Sequence, residues 1–100
     1  MANLIVSYAK VGPSERGTFR LQRAGYVRTE QIAIGVTSAA GSLVALAGDI
    51  LEVTALDDCW VAVGPAPTAA AGGSTSRYLA EGTVREYVVD PGDKVAVIQA

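Results

Sequence analysis

Residues Ile50 to Val63, ILEVTALDDCWVAV, decide how the rest of the chain is read. Val53 and Ala55 alternate with Glu52 and Thr54, the period-two pattern of a strand with one covered face. After Leu56-Asp57-Asp58 the run Trp60-Val61-Ala62-Val63 is nearly continuous in apolar character, as in a strand covered on both faces. The stretch therefore predicts two strands joined at an acidic turn. We read it as a central hairpin that the other segments pair with or loop away from.

Working towards the N-terminus, Leu43 to Leu46 reads as a short strand before a Gly48-Asp49 turn, and Ser38 to Ser42 as a loop. A helix over Ser38 to Ala47 is the rival, but Gly41 and Gly48 frame a segment too short for one. Tyr26 to Val36 predicts a strand with Ile32, Ile34 and Val36 on one face and Ala33 and Gly35 on the other, where Gly35 permits a bulge or a close backbone approach. Thr18 to Leu21 is a short strand or an extended arm. Leu4 to Tyr8 is a first strand, ended by Gly12-Pro13-Ser14-Glu15 and followed by a polar loop to Gly17.

Towards the C-terminus, GPAPTAAAGGSTSR, Gly64 to Arg77, has little apolar area to pin it and reads as the most mobile stretch, or one that orders against a partner. Its deletion from Gly64 to Ser76 is expected to leave the fold intact while weakening assembly. Arg77-Tyr78-Leu79 resumes structure. Thr83 to Val89 sets Val84, Glu86 and Val88 against Arg85, Tyr87 and Val89; Asp90-Pro91-Gly92-Asp93 makes a turn, and Lys94 to Ile98 a last strand. About seven or eight short strands at this spacing predict an all-β fold, a small two-sheet β-sandwich or barrel that is jelly-roll-like with one long flexible loop. One hundred residues fit a single β domain, 1–100.

Seventeen alanines stand among the 50% hydrophobic residues, so the core must come from 13 valines, 7 leucines, 5 isoleucines and a few aromatics. Such a core is thin, and burial against identical neighbours would supplement it. Eight basic and ten acidic residues are spread along the chain, which argues against nucleic acid as a direct partner. No run approaches the roughly 18 to 20 apolar residues of a membrane helix, and the N-terminus has no basic segment before a long apolar run. We expect neither a signal peptide nor membrane anchoring, and synthesis in a reducing cytoplasm suits the single Cys59.

The chain has no histidine, which removes the usual base of serine and cysteine hydrolases. Cys59 lies between Asp58 and Trp60, and the negative neighbour disfavours a thiolate, so it reads as a buried, inert cysteine. Asp57 and Asp58, with Asp49 or Glu52, invite a calcium site or an acid/base pair, but adjacent strand residues point to opposite faces. They read instead as turn residues that satisfy the local backbone. Trp60 with Tyr78 and Tyr87 could stack on sugar, although aromatic residues more commonly serve the core or a subunit interface. Arg77 and Tyr78 are the better contact candidates, since both types favour protein interfaces. No phosphate-binding glycine pattern occurs. We expect no catalytic residues, no metal and no cofactor.

The second half, Ile50 to Ile98, resembles short structural proteins of tailed bacteriophages. The likeness lies in DDCWVAVG, the small-residue loop with prolines, RYLAEG, and the terminal VVDPGDKVAVIQ. Among such proteins the chain is most similar to capsid decoration, or cement, proteins. That resemblance implies a non-enzymatic β-rich subunit, commonly a homotrimer, that binds the major capsid protein on the outside of the assembled head and stiffens the shell. It places the protein on the virion surface after synthesis in the host cytoplasm. Exposure and composition then nominate Asn3, Leu4, Ile5, Tyr8, Arg77 and Tyr78 as contacts to capsid or sister subunits. A head-to-tail adaptor, a tail component, a fibre base, and a carbohydrate-binding β-sandwich are the alternatives.

Overall fold

The computed structural model describes residues 3–13 and 20–100, with side chains placed for 3–10 and 27–100. The Ser14-Glu15 turn, the loop to Gly17 and the start of the Thr18 segment lie outside the described residues. The rest is β-structure, with no helix among the described residues: β1 Asn3–Pro13, β2 Arg20–Ala33, β3 Ala39–Ala40, β4 Asp49–Ala55, β5 Cys59–Gly64, β6 Arg77–Leu79, β7 Val84–Val88 and β8 Lys94–Gln99. Two four-stranded antiparallel sheets result, β2-β1-β4-β7 and β3-β8-β5-β6. We call them the first and second sheet.

The central hairpin does not form. β4 belongs to the first sheet and β5 to the second, so Leu56-Asp57-Asp58 is a crossover between layers rather than a hairpin turn. The reason lies in the side chains the two strands aim at each other. Leu51, Val53 and Ala55 from one, and Cys59 and Val61 from the other, are all buried in one core. Two apolar strand faces separated by three residues gain more by facing each other across the core than by lying side by side.

Three pairs are nested, β3 with β8, β4 with β7 and β5 with β6. A fourth pair in that ribbon would need a strand after β8, and β1 holds its place beside β2. Nested pairs that alternate between two sheets are the connectivity of a jelly roll, here with one strand moved to the front of the chain. Asn3 and Ala100 both bond to the crossover: the Asn3 carbonyl accepts from Leu56 N–H at 3.2 Å and Ala100 N–H donates to the Asp58 carbonyl at 3.3 Å.

Several boundaries move. β1 continues to Pro13 and pairs with β2 as a long hairpin, in which Arg23 to Tyr26 stand against Lys10 between the pairs Ala9–Val27 and Val11–Gln22. Beyond Lys10–Asp49, where β4 stops, Val11 to Pro13 and Arg20 to Gln22 run on as a two-stranded tip. β2 ends at Ala33, so Ile32 and Ile34 are core but Val36 is 75% exposed. Leu43 to Leu46 is not a strand. It carries the chain on irregularly from β3 towards the start of β8, held by Gly41 N–H to the Val95 carbonyl and Ala45 N–H to the Asp93 carbonyl.

The segment between β5 and β6 is folded onto the second sheet. The outward residues Ala62 and Ala96 are so small that the chain can lie directly on them, and Ala69 packs there with both, out of solvent. Ala69 N–H donates to Ser38 Oγ at 2.9 Å, Ala70 N–H donates to Ser76 Oγ at 3.1 Å, and Gly73 N–H and Ser76 N–H close successive turns. Removing Gly64 to Ser76 would take away Ala69 and uncover Ala62 and Ala96 on the outer face of the second sheet.

Candidate functional site

The strongest polar cluster closes the end of the sandwich where β1 and β2 meet the loop before β4. Asp49, first residue of β4, is 5% exposed. Its carboxylate accepts from the Arg28 guanidinium, from Lys10 Nζ at 3.1 Å and from Leu46 N–H at 2.8 Å. Burial alone would raise this carboxyl, but the Leu46 and Lys10 hydrogen bonds and the two cations hold it below its ordinary value. Arg28 also donates to the Val44 carbonyl at 2.8 Å and Lys10 to the Ala47 carbonyl. Glu30, two residues along β2, accepts from Ser42 N–H, Ser42 Oγ and Leu43 N–H at 3.0–3.1 Å. Gly41 leaves room for it, because a Cβ there would displace the Glu30 carboxylate. Every charge in this cluster is used to hold the 41–49 loop, so it is architecture rather than a reactive centre.

Tyr8 lies inside the same end, fully buried, with the Arg28 Cζ 5.3 Å from its ring centroid. Burial, with the Glu30 charge and against the pull of Arg28, pushes its phenol up to about 12. Its hydroxyl and that of Tyr87 are buried without a hydrogen-bond partner among the described residues. Leu4 is equally enclosed. Neither Leu4 nor Tyr8 is presented to another molecule, which corrects their nomination as contacts: both face the chain's own core, where β1 is the second strand of its sheet. Asn3 and Ile5 are half-buried on the outer face, with Asn3 Nδ2 donating to Gln31 at 2.8 Å.

The acidic crossover is also structural. Asp57 accepts from Asp58 N–H, and Asp58 from Glu81 N–H, each at 2.8 Å. Among the described residues no three potential metal-ligating side chains converge. Cys59 is fully buried, and burial, then the Asp57 and Asp58 charges, push its thiol up to about 11, far from a thiolate at neutral pH.

The outer faces remain. On the first sheet three cross-strand rows are exposed in part: Val27–Ala9–Ile50–Val88, then Thr29–Ser7–Glu52–Glu86, then Gln31–Ile5–Thr54–Val84. Val88 is 83% exposed and Val84 53%. An apolar row and a mixed row thus flank a polar one whose Glu52 and Glu86 face each other. On the second sheet, Tyr78–Trp60–Ile98 form a row, with Trp60 and Tyr78 edge to face at 5.6 Å between centroids. Tyr78 is 49% exposed and Arg77 is exposed beside it, so this nominated pair does reach solvent. Ser74, Thr75, Ser76, Arg77 and Tyr78 line an open depression of about 500 Å³, formed by one continuous stretch rather than by convergent elements.

The chain matches no protein-family profile, no characterised protein and no solved structure. Sequence reasoning missed the Arg28–Asp49–Lys10 cluster and the charged role of Glu30. The available signal was Arg28 and Glu30 alternating in phase with Ile32 and Ile34, two charges on a face otherwise apolar, which in a strand demands buried partners.

Proposed function

We propose that this protein is a non-enzymatic decoration protein of a tailed-bacteriophage capsid, one that binds the outside of the assembled head through the major capsid protein and stabilises the shell, assembling as a homotrimer. The reading draws its identity from the likeness of DDCWVAVG, RYLAEG and VVDPGDKVAVIQ to phage structural proteins. The observation that carries it is the outer face of the first sheet, where Val27, Val84 and Val88 are each about half exposed or more on a regular strand surface. Exposed valines spread over a regular sheet face favour a broad, flat contact over an enclosed ligand site. The buried Asp49 carboxylate is spent on Arg28, Lys10 and the Leu46 N–H of the loop before β4.

The test is binding to emptied or expanded phage heads, read as copies per head and as the temperature at which the shell releases its contents. Val88→Asp should lower occupancy at least about tenfold while leaving the melting of the free chain unchanged, because Val88 sits on the surface of the fold. Unaltered occupancy would count against this face. Native mass spectrometry across a dilution series reads the trimer directly.

A second reading has its own support. The Trp60–Tyr78 pair offers an exposed aromatic surface of the type that stacks on sugar rings. It requires a saturable, sugar-dependent change in Trp60 fluorescence, which the decoration reading does not.

A further inference from the structure

One side of the sandwich is bounded by β6 and β7, and each of these edge strands turns an arginine inward. Arg77 stands opposite Val61 and Arg85 opposite Val53, and both valines belong to the core. The two positions are at the same height. Ala55 and Cys59 are the first inward residues on either side of the crossover, and Val53 and Val61 the next. Packed sheets lie about 10 Å apart, within the combined reach of two arginine side chains. Both residues are exposed, and among the described residues neither forms a salt bridge.

An inward charge is a known guard for an edge strand, its stem packed on apolar neighbours and its head in water. One charge per seam would do this. Two cations at one height repel each other unless an anion stands between them. The opposite side of the sandwich supplies the comparison: inward Arg28 on β2 is met by Asp49, and inward Glu30 by three donors. On the β6–β7 side the equivalent charges are met by nothing in the described chain.

We infer that the β6–β7 seam is a two-arginine receptor for a carboxylate carried on a partner protein. The planar guanidinium fork matches a carboxylate in bidentate fashion, and two forks can hold one from both sides. The surroundings favour a single acidic group over a nucleic-acid backbone. Glu86 adjoins Arg85 and faces Glu52, and exposed Glu81 lies in the connection between the two strands, so an extended polyanion would meet three like charges. This inference does not depend on the virion reading.

The test uses the full chain with ¹⁵N-labelled arginine, observing side-chain Nε–H resonances during titration with a Gly-Glu-Gly peptide blocked at both ends, which carries one carboxylate, and, separately, with inorganic phosphate at matched ionic strength. The expected result is saturable movement of Arg77 and Arg85 with one shared midpoint for the peptide. Arg77→Gln and Arg85→Gln should each weaken binding by about fivefold or more and silence the remaining partner's response. Both side chains are exposed, and the same spectra report that the fold is kept. Linear, unsaturated shifts at all arginines, or an Arg77 response unchanged in Arg85→Gln, would overturn the shared site. Saturation by phosphate without saturation by the peptide would overturn the carboxylate.

Discussion

Tyr8 holds a buried hydroxyl that nothing among the described residues satisfies. A buried hydroxyl without a partner is a net cost, so Tyr8→Phe should stabilise the chain by about 1 kcal/mol at neutral pH in urea denaturation. Its titration sharpens the test. With the folded phenol near 12 and the unfolded one near 10, the neutral group contributes fully below pH 10 and its contribution is lost as pH rises towards 12. The advantage of the phenylalanine variant should therefore widen above pH 10. Asp49 behaves oppositely. Its folded carboxyl lies below the ordinary value near 4, so its contribution is complete above that pH and is lost as pH falls through the folded value. Asp49→Asn should cost about 2 kcal/mol at pH 7, and the gap from the parent chain should close in acid.

At the scale of elements, β7 shows how an exposed edge is kept from pairing with another chain. Val84 and Val88 invite association, while Glu86 between them faces Glu52 across the ladder. Like charges directly opposite are destabilising, so Glu86→Thr should raise stability by about 0.5 kcal/mol, threonine also being the better strand residue. The same change removes the guard. Size-exclusion chromatography with light scattering should find concentration-dependent self-association in Glu86→Thr beyond that of the parent chain, and an identical mass profile would refute the guarding role. On the other sheet, the contact of Ala69 with Ala62 and Ala96 explains why a segment of small residues is not simply free: the face beneath it is also small, and two alanine surfaces can approach to backbone distance.

For the molecule as a whole, the nested strand pairs and the meeting of Asn3 and Ala100 at the crossover make one topological prediction. Joining Ala100 to Asn3 through a short glycine-serine linker and opening the chain between β1 and β2 would place β1 after β8, completing the fourth pair of the ribbon in chain order. Surface termini that lie close together tolerate such permutation. The permuted chain should melt cooperatively with stability within about 2 kcal/mol of the parent, and loss of the cooperative transition would refute the assignment of β1 to that place.

The sequence by itself determined the strand identity of β4, β5, β7 and β8, the turns at Gly48-Asp49 and Asp90 to Asp93, and the all-β class, because period-two alternation and turn chemistry are local properties. It also placed Cys59 inside and gave Asp57 its bond to the local backbone, whereas Asp58 accepts from the distant Glu81 N–H. Only the tertiary structure decided that Ile50 to Val63 crosses between sheets, that Leu4 and Tyr8 are sealed in the core, and that the 64–76 segment lies on an alanine surface. Those outcomes depend on which apolar faces meet across or upon the sheets, and that choice leaves no trace in local periodicity. The charges tell the same story: Arg28, Glu30, Arg77 and Arg85 all occupy inward positions, and spacing cannot say which of them finds a partner within the chain.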